Sequence, residues 1–162
     1  MKKKLSVLLL LVSLSLVPNF AIAANVSTQR PNAVYFEGLG RGFLYSVGYD
    51  RFITPEIAVG GGLSYWSAWT ANVFVLPAYG SYYFYPIEPQ NHRFFATAGL
   101  DLIIVSGGAT SSVFSSTSVA GTLGGGYEYR HDNGLLLRAG PYIIIGSGGV
   151  TGWGGLTAGY SF

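Results

Sequence analysis

The sequence predicts an all-β fold, an eight-stranded antiparallel up-and-down transmembrane β-barrel preceded by a cleaved signal peptide. The chain opens with a short basic and apolar leader, and its remainder is rich in glycine and aromatic residues without any apolar run of membrane-helix length. Large apolar residues alternate with small or polar ones in eight segments. In a bilayer, only helices and closed barrels satisfy every backbone polar group, so a closed barrel is the remaining membrane solution.

Residues 1–23 have the features of an export signal. A basic segment of three lysines is followed by the apolar run Leu5–Val17 and the small-residue site Ala21-Ile22-Ala23. This apolar run is shorter than the ~20 residues that a spanning helix needs. We expect a Sec-type signal peptide at 1–23, cleaved after Ala23, and one barrel domain at 24–162. The alternative is a retained N-terminal anchor.

Cleavage changes the charge of the chain. All three lysines lie at positions 2–4, which leaves six arginines against seven acidic residues, a net charge of −1. The basic character of the full chain therefore belongs to the leader and gives no support for nucleic-acid binding. Cysteine is absent, and the two histidines lack metal-ligand spacing, so we expect neither a metal nor another cofactor.

Turn signals divide the remaining chain into strands. Those at 54–56, 86–93 and 132–134 all fall at one end, and short turns are typical of the periplasmic end of a membrane barrel. Residues 33–52 also fit a single strand with a glycine bulge, which would leave seven strands. The predicted strands are Ala33–Leu39, Phe43–Phe52, Ile57–Ser67, Asn72–Tyr85, Phe94–Ser106, Thr117–Arg130, Leu135–Gly146 and Trp153–Phe162.

The alternation assigns the two faces of the wall. Bulky residues such as Tyr45 alternate with small or charged ones such as Ser46. The bore of an eight-stranded barrel is narrow, so we predict that small residues point inward and bulky ones face lipid. A soluble binding barrel is the alternative, and it would place Tyr45, Val59, Leu100 and Leu123 together in the interior.

Charged residues on the predicted inner face should pair, because a lone charge inside a narrow barrel is costly. With a three-residue turn at 132–134, Glu128 falls opposite Arg138. The structural interpretation is a polar plug and the functional one a narrow ion path; we favour the plug because side chains usually fill such a lumen. The predicted network comprises Glu37, Asp50, Asp101, Glu128, Arg130 and Arg138.

Aromatic residues near the strand ends are expected to form girdles at the two membrane interfaces. At the periplasmic end these are Tyr127, Tyr129, Tyr160 and Phe162. At the outer end they are Trp66, Trp69 and Trp153.

The last strand carries a resemblance to a known family. It reads Leu156-Thr157-Ala158-Gly159-Tyr160-Ser161-Phe162, and this ending resembles the assembly signal of outer-membrane barrels. By length and turn pattern the whole mature chain resembles small eight-stranded outer-membrane barrels of unassigned function. The resemblance implies a location in the outer membrane of a Gram-negative cell. The partners it implies are membrane lipid, lipopolysaccharide and the barrel-assembly machinery, with the barrel itself a monomer.

These observations predict a non-enzymatic barrel with a structural or surface-interaction role, its lumen filled by small polar residues and the ion-pair network. Two alternatives remain. A lipid-modifying enzyme needs a histidine, a serine and an acid near the outer leaflet, whereas His92 and His131 are predicted at the periplasmic end. A narrow channel for small solutes needs a continuous water-filled bore past Glu128 and Arg138.

Overall fold

A computed structural model describes residues 30–68, 71–84, 91–107 and 115–162, and the predicted signal peptide lies outside these residues. Among the described residues, no helix is long and apolar enough to cross a membrane. The strands, in chain order, are β1 (Asn32–Gly40), β2 (Phe43–Phe52), β3 (Ile57–Ala68), β4 (Ala71–Phe84), β5 (His92–Ser106), β6 (Ser115–Arg130), β7 (Leu135–Gly146) and β8 (Gly149–Ser161).

The eight strands form one closed barrel, in which each strand pairs antiparallel with the next and β8 pairs with β1. Closure extends to the last residue of the chain. Asn32 N donates to Phe162 O at 3.1 Å and Phe162 N donates to Asn32 O at 2.9 Å. We call this the terminal end of the barrel, and the end that carries the β1–β2 and β7–β8 turns the far end. The predicted eight-stranded antiparallel barrel is confirmed.

The segment 33–52 forms two strands, joined by a tight turn at Arg41 and Gly42. The backbone around it is left-handed, with φ of 53° at Leu39, 124° at Gly40 and 68° at Phe43. A Cβ on Gly40 would lie 2.6 Å from the carboxyl carbon of Glu37, so glycine is required there for space as well as for conformation. The alternative of one bulged strand is wrong.

Several predicted boundaries differ from the structure by one to four residues. The fifth strand begins at His92, which the sequence placed in a turn, and β8 begins at Gly149 rather than Trp153. The glycines at the start of β8 have low strand propensity, yet they pair in register with β7, as in Ile143↔Gly152. Pairing with a neighbouring strand therefore overrides local propensity.

The bulky alternating residues face outward. Tyr45, Val59, Leu100 and Leu123 are 41%, 44%, 61% and 50% exposed. These are the residues that a soluble barrel would bury together. The predicted inside-out arrangement of the wall is therefore confirmed.

The interior is bulkier than the sequence predicted. Small polar side chains such as Ser46, Ser81 and Thr122 do lie inside, but large side chains that the sequence did not place there fill much of the rest. The inner glycines make room for these side chains instead: the ring of Tyr35 lies against Gly48, and that of Tyr79 against Gly60, where a Cβ would overlap the ring. The buried bulky side chains include Tyr35, Phe52, Tyr79, Tyr83, Phe95, Leu136, Tyr142 and Ile144.

Candidate functional site

The candidate site is the lumen, and its charge is concentrated around Glu128 on β6. The β6–β7 register places Arg138 directly opposite. Arg138 donates to Glu128 Oε2 from Nε at 2.9 Å and from Nη2 at 2.6 Å. Arg93 Nε and Arg130 Nε each lie 3.2 Å from Glu128 Oε1. One carboxylate thus contacts three guanidinium groups.

Asp50 extends this cluster across the bore. It projects from β2, whereas Arg138 projects from β7, and these strands are not neighbours in the barrel. Arg138 Nη2 donates to Asp50 Oδ2 at 2.8 Å, and Arg130 Nη2 lies 3.5 Å from Asp50 Oδ1. The Tyr83 hydroxyl donates to Glu128 at 3.0 Å. The two ion pairs of Asp50 therefore cross the bore, whereas those of Glu128 lie within β6 or join it to the adjacent strands β5 and β7.

We call Asp50, Arg93, Glu128, Arg130 and Arg138 the charged layer; all five are buried. Three cations face two anions, and aromatic rings support the surplus positive charge. The Arg130 guanidinium lies 4.9 Å from the Phe52 ring centroid, within the range of a cation–π contact. Arg138 lies 5.4 Å from the ring of Phe95. These contacts stabilise the arginines, because a charge removed from water needs favourable interactions with its neighbours.

A second layer lies toward the far end and is built around Arg41 of the β1–β2 turn. Its guanidinium lies between two rings, 3.8 Å from the Tyr79 centroid and 4.8 Å from that of Tyr142. Arg41 Nη1 donates to Glu37 Oε1 at 3.4 Å, and Nη2 donates to Thr97 Oγ1 at 3.3 Å. The left-handed turn directs this side chain into the bore.

Tyrosine hydroxyls complete this second layer. Tyr142 donates to Glu37 at 3.1 Å, and the hydroxyls of Tyr35 and Tyr79 contact each other. All of these side chains are buried. We call Tyr35, Glu37, Arg41, Tyr79 and Tyr142 the arginine–tyrosine layer. Together with the charged layer it occupies the middle of the lumen.

The structure brings together four of the six predicted charged residues: Asp50, Glu128, Arg130 and Arg138. Glu37 belongs to the arginine–tyrosine layer and contacts none of these four through a described ion pair or hydrogen bond. Asp101 has no described ion pair and accepts a hydrogen bond from the Thr122 hydroxyl.

Sequence reasoning missed Arg41 and Arg93. The sequence pattern could have identified Arg93 as a lumen residue, because it lies an even number of positions along β5 from the inner residues Thr97 and Asp101. Arg41 carried none: it lies in a glycine-rich turn, and only the tertiary fold directs its side chain into the lumen. The inner tyrosines were also missed, since alternation alone ranked bulky residues as outward.

The residues predicted to form aromatic girdles face outward at one end of the barrel only. Tyr127 lies on the outer wall near the terminal end, in parity with Tyr129 and opposite to the buried Glu128. Trp66 and Trp153, predicted to be interfacial, instead have the parity of the inner face.

Trp153 pairs across the strands with buried Tyr142, and its Nε1 donates to Phe43 O at 2.9 Å. Trp153 therefore lies on the inner face of the wall, whereas a girdle residue would lie on the outer face. The same holds for Trp66, which pairs with buried Val73. Trp69 lies outside the described residues.

The two histidines lie at the terminal end. His92 Nδ1 contacts the Tyr127 hydroxyl on the outer wall, and His131 Nδ1 accepts from the Asn133 backbone N–H at 3.1 Å. Neither contact involves a carboxylate. Across the described ranges, no three histidine or acidic side chains are grouped as metal ligands would be.

A closed eight-stranded barrel with an apolar outer wall and a charged lumen defines the architectural class of the small outer-membrane β-barrels. Solved structures of that class resemble this chain. The N-terminal β-barrel domain of Pseudomonas aeruginosa OprF has a TM-score of 0.62 and 19% identity, covering 82% of this chain and 98% of that one.

Two further structures show the same fold. Neisserial surface protein A has a TM-score of 0.53 and 19% identity, covering 81% of this chain and 94% of its own. Ail, the attachment invasion locus protein of Yersinia pestis, has a TM-score of 0.51 and 13% identity, covering 82% and 99%. No protein-family model matches the chain, and no curated protein matches its sequence. At these identities the likeness shows the fold.

Proposed function

We propose that this chain is an integral outer-membrane barrel with a non-enzymatic structural or surface-interaction role and a lumen sealed by its own side chains. The observation that carries the proposal is the pairing of Asp50 on β2 with Arg138 on β7 at 2.8 Å. This ion pair crosses the bore, and a solute passing along the lumen would have to break it. A sealed lumen leaves the far-end surface as the part that can interact with other molecules.

The apolar outer wall supports the membrane location. Val47, Leu63 and Leu100 are at least half exposed, and so much exposed aliphatic surface is rare on a soluble monomer. In lipid the same surface is stable, because the closed ladder satisfies the backbone polar groups within the wall.

The orientation that we propose rests on the resemblance of the last strand to an outer-membrane assembly signal rather than on turn length, because the β1–β2 and β7–β8 turns at the far end have only two residues each. The terminal end, with Phe162, would lie in the periplasm and the far end outside the cell. The partners are bilayer lipid and lipopolysaccharide around the wall, and the barrel-assembly machinery, which would read Tyr160 and Phe162 during insertion. We propose that the protein is exported by the Sec route and acts as a monomer.

The energetics of the charged layer support a plug over a pore. Its five charged side chains are buried and hold one another at hydrogen-bonding distance. Removing one partner of such a buried pair typically costs about 3–5 kcal/mol. A continuous water path would require breaking several of these contacts, and so would cost at least this much free energy where water does not replace them.

The test combines membrane fractionation with planar-bilayer recording of the purified, refolded barrel. We expect the protein in the outer-membrane fraction, a gel migration that changes on boiling, and no steady single-channel steps. The matched variant is Arg138→Ala, prepared in the same way. Steady steps in the wild type that this substitution abolishes would support the narrow channel and contradict the sealed lumen.

A further inference from the structure

The outer wall carries an open groove of about 810 Å³ near the terminal end of the barrel. This volume falls within the range of about 300–1,000 Å³ that is typical of ligand sites. We call it the outer groove. It crosses five neighbouring strands, from β5 through β6, β7 and β8 to β1. Its lining includes one row of residues in which each pairs with the next across the strands: His92, Tyr129, Leu137, Ala158 and Phe36.

The outer groove rises from the rim of the terminal end toward the middle of the wall. His92 is the first residue of β5, and Tyr129 lies one position before the last residue of β6. Leu137 lies two positions inside β7, Ala158 three positions inside β8 and Phe36 four positions inside β1. This steady displacement is the stagger by which tilted strands close a barrel. One end of the groove therefore lies at the rim and the other within the wall.

Two alanines, Ala139 and Ala158, form the floor of the outer groove. Each pairs on both sides with a larger residue that faces outward: Tyr127 and Leu156 for Ala139, and Leu137 and Phe36 for Ala158. A methyl group reaches less far from the wall than the side chains beside it, so the surface is recessed along this line.

The polar side chains of the outer groove lie toward its rim end. His92 Nδ1 contacts the Tyr127 hydroxyl there. When this hydroxyl donates to Nδ1, the ring hydrogen lies on Nε2, which none of the described hydrogen bonds engages. Two other lining residues, Arg138 and Thr157, have side chains that are buried on the inner face and leave the groove apolar. The groove thus offers a hydrogen-bond donor at one end and apolar contacts along the rest.

This order of polarity matches that of a membrane lipid. In a bilayer, the phosphate of a phospholipid lies at the interface with water, and its acyl chains extend toward the midplane. The apolar outer wall continues directly into the groove through Phe36 and Leu156, which are 52% and 67% exposed. An acyl chain that lies in the groove therefore keeps apolar contacts on both sides, while its phosphate lies beside the imidazole donor.

We propose that the outer groove binds one phospholipid of the surrounding bilayer, with an acyl chain along Ala139 and Ala158 and the phosphate at His92. Complementary polarity and continuity with the lipid-facing wall carry this inference. In the proposed orientation, the lipid belongs to the periplasmic leaflet. The proposal rests on the proposed membrane location, and it is independent of the sealed lumen and of the surface role.

Native mass spectrometry of the barrel, extracted from membranes in detergent, tests the proposal because it counts discrete bound lipids. The probes are dioleoyl phosphatidylglycerol and dioleoylglycerol, which share their acyl chains and differ in the phosphate head group. We expect one phosphatidylglycerol to bind saturably. Its midpoint concentration should be about fivefold lower than that of dioleoylglycerol, which lacks the hydrogen bond to phosphate.

Two pairs of variants assign the lipid to the outer groove. Ala158→Phe fills the floor, and Ala78→Phe makes the same change at an outward position of β4, away from the groove. We expect Ala158→Phe to raise both midpoints about tenfold, and Ala78→Phe to leave them unchanged. His92→Phe keeps a ring and removes the donor, and it alone should abolish the preference for phosphatidylglycerol; His131→Phe, at the other histidine of the terminal end, should retain it. Heat-modifiable migration verifies folding, and Ala139→Phe fills the same floor if Ala158→Phe does not fold.

The outcomes separate this proposal from the proposed function. A chain that is absent from the outer-membrane fraction contradicts the membrane location itself. A folded membrane barrel that binds lipid with equal midpoints in the wild type and in Ala158→Phe or Ala139→Phe overturns the outer groove as a lipid site. A dimer in place of the lipid adduct, lost in the same variants, assigns the groove to a second copy of the chain and also overturns the proposal.

Discussion

At the scale of single residues, Glu128 is the most consequential side chain of the lumen. It is fully buried and contacts three arginines, whereas Asp50 contacts two. Without the charge of Glu128, three buried guanidinium groups would share one carboxylate. Desolvated like charges in a low-dielectric interior repel strongly, so this carboxylate stabilises the layer as a whole.

We therefore expect Glu128→Gln to lower the free energy of unfolding by about 3–5 kcal/mol. Denaturant unfolding in lipid vesicles, followed by tryptophan fluorescence, measures this change. Glu56→Gln is the matched control, because Glu56 is exposed in a turn and its side chain accepts one described hydrogen bond, from the Thr54 hydroxyl; the expected change is about 0–1 kcal/mol. Adding Arg138→Met to Glu128→Gln restores the charge balance and should recover part of the loss. Equal effects of the two single substitutions would contradict this account.

At the scale of elements, the contact between β6 and β7 depends on glycine. The ladder is interrupted between Gly124↔Tyr142 and Tyr127↔Ala139, beside Pro141, which has no N–H to donate. Within this interruption a Cβ on Gly126 would overlap the Ala139 carbonyl oxygen. At Gly126 the two strands thus lie too close together to accommodate any side chain, so the interruption of the ladder requires glycine.

Gly126→Ala should push these strands apart and lower the stability of the barrel by about 1–3 kcal/mol, as overpacking does elsewhere. The measurement is the temperature at which the fast-migrating folded band converts to the unfolded band on a gel. Gly154→Ala is the control, because nothing lies within 4 Å of a Cβ there. Unchanged conversion temperatures in both variants would show that the wall relaxes around the added methyl group.

At the scale of the whole molecule, the first and last strands close the barrel. The backbone of Phe162 exchanges two hydrogen bonds with Asn32, while its side chain is 51% exposed on the outer wall. Closure therefore uses the backbone of Phe162, and its ring adds little to packing within the barrel. A substitution of the Phe162 side chain can therefore test recognition during assembly without changing the stability of the folded barrel.

We expect Phe162→Ala to reduce the amount of folded barrel in the outer membrane of expressing cells several-fold. The unfolding free energy of the refolded variant in vesicles should stay within about 1 kcal/mol of the wild type, since the change removes an exposed side chain. Quantitative fractionation and vesicle unfolding provide the two measurements. Val150→Ala, which changes an exposed residue of β8, should affect neither. Equal assembly of wild type and Phe162→Ala would contradict a role for this residue as an assembly signal.

The chain by itself determined the all-β barrel class and the outward face, whereas it left open whether residues 33–52 form one strand or two. The alternating pattern predicts the outward face because an outward side chain such as Leu100 or Leu123 needs only to be apolar, whatever the rest of the fold. On β4 the same reasoning fails: Tyr83 lies inside and Tyr82 outside, and both are bulky. The local sequence pattern does not distinguish an aromatic ring that faces lipid from one that packs over a glycine inside the barrel.

Only the tertiary structure decided the contents of the lumen. The pair Asp50–Arg138 joins residues 88 positions apart, and Arg41 enters the bore through a left-handed turn. Trp66 and Trp153 lie on the inner face because they pair with the buried residues Val73 and Tyr142 of the neighbouring strands. Such contacts depend on which strands face each other across a closed barrel, and that geometry exists only once all eight strands have paired.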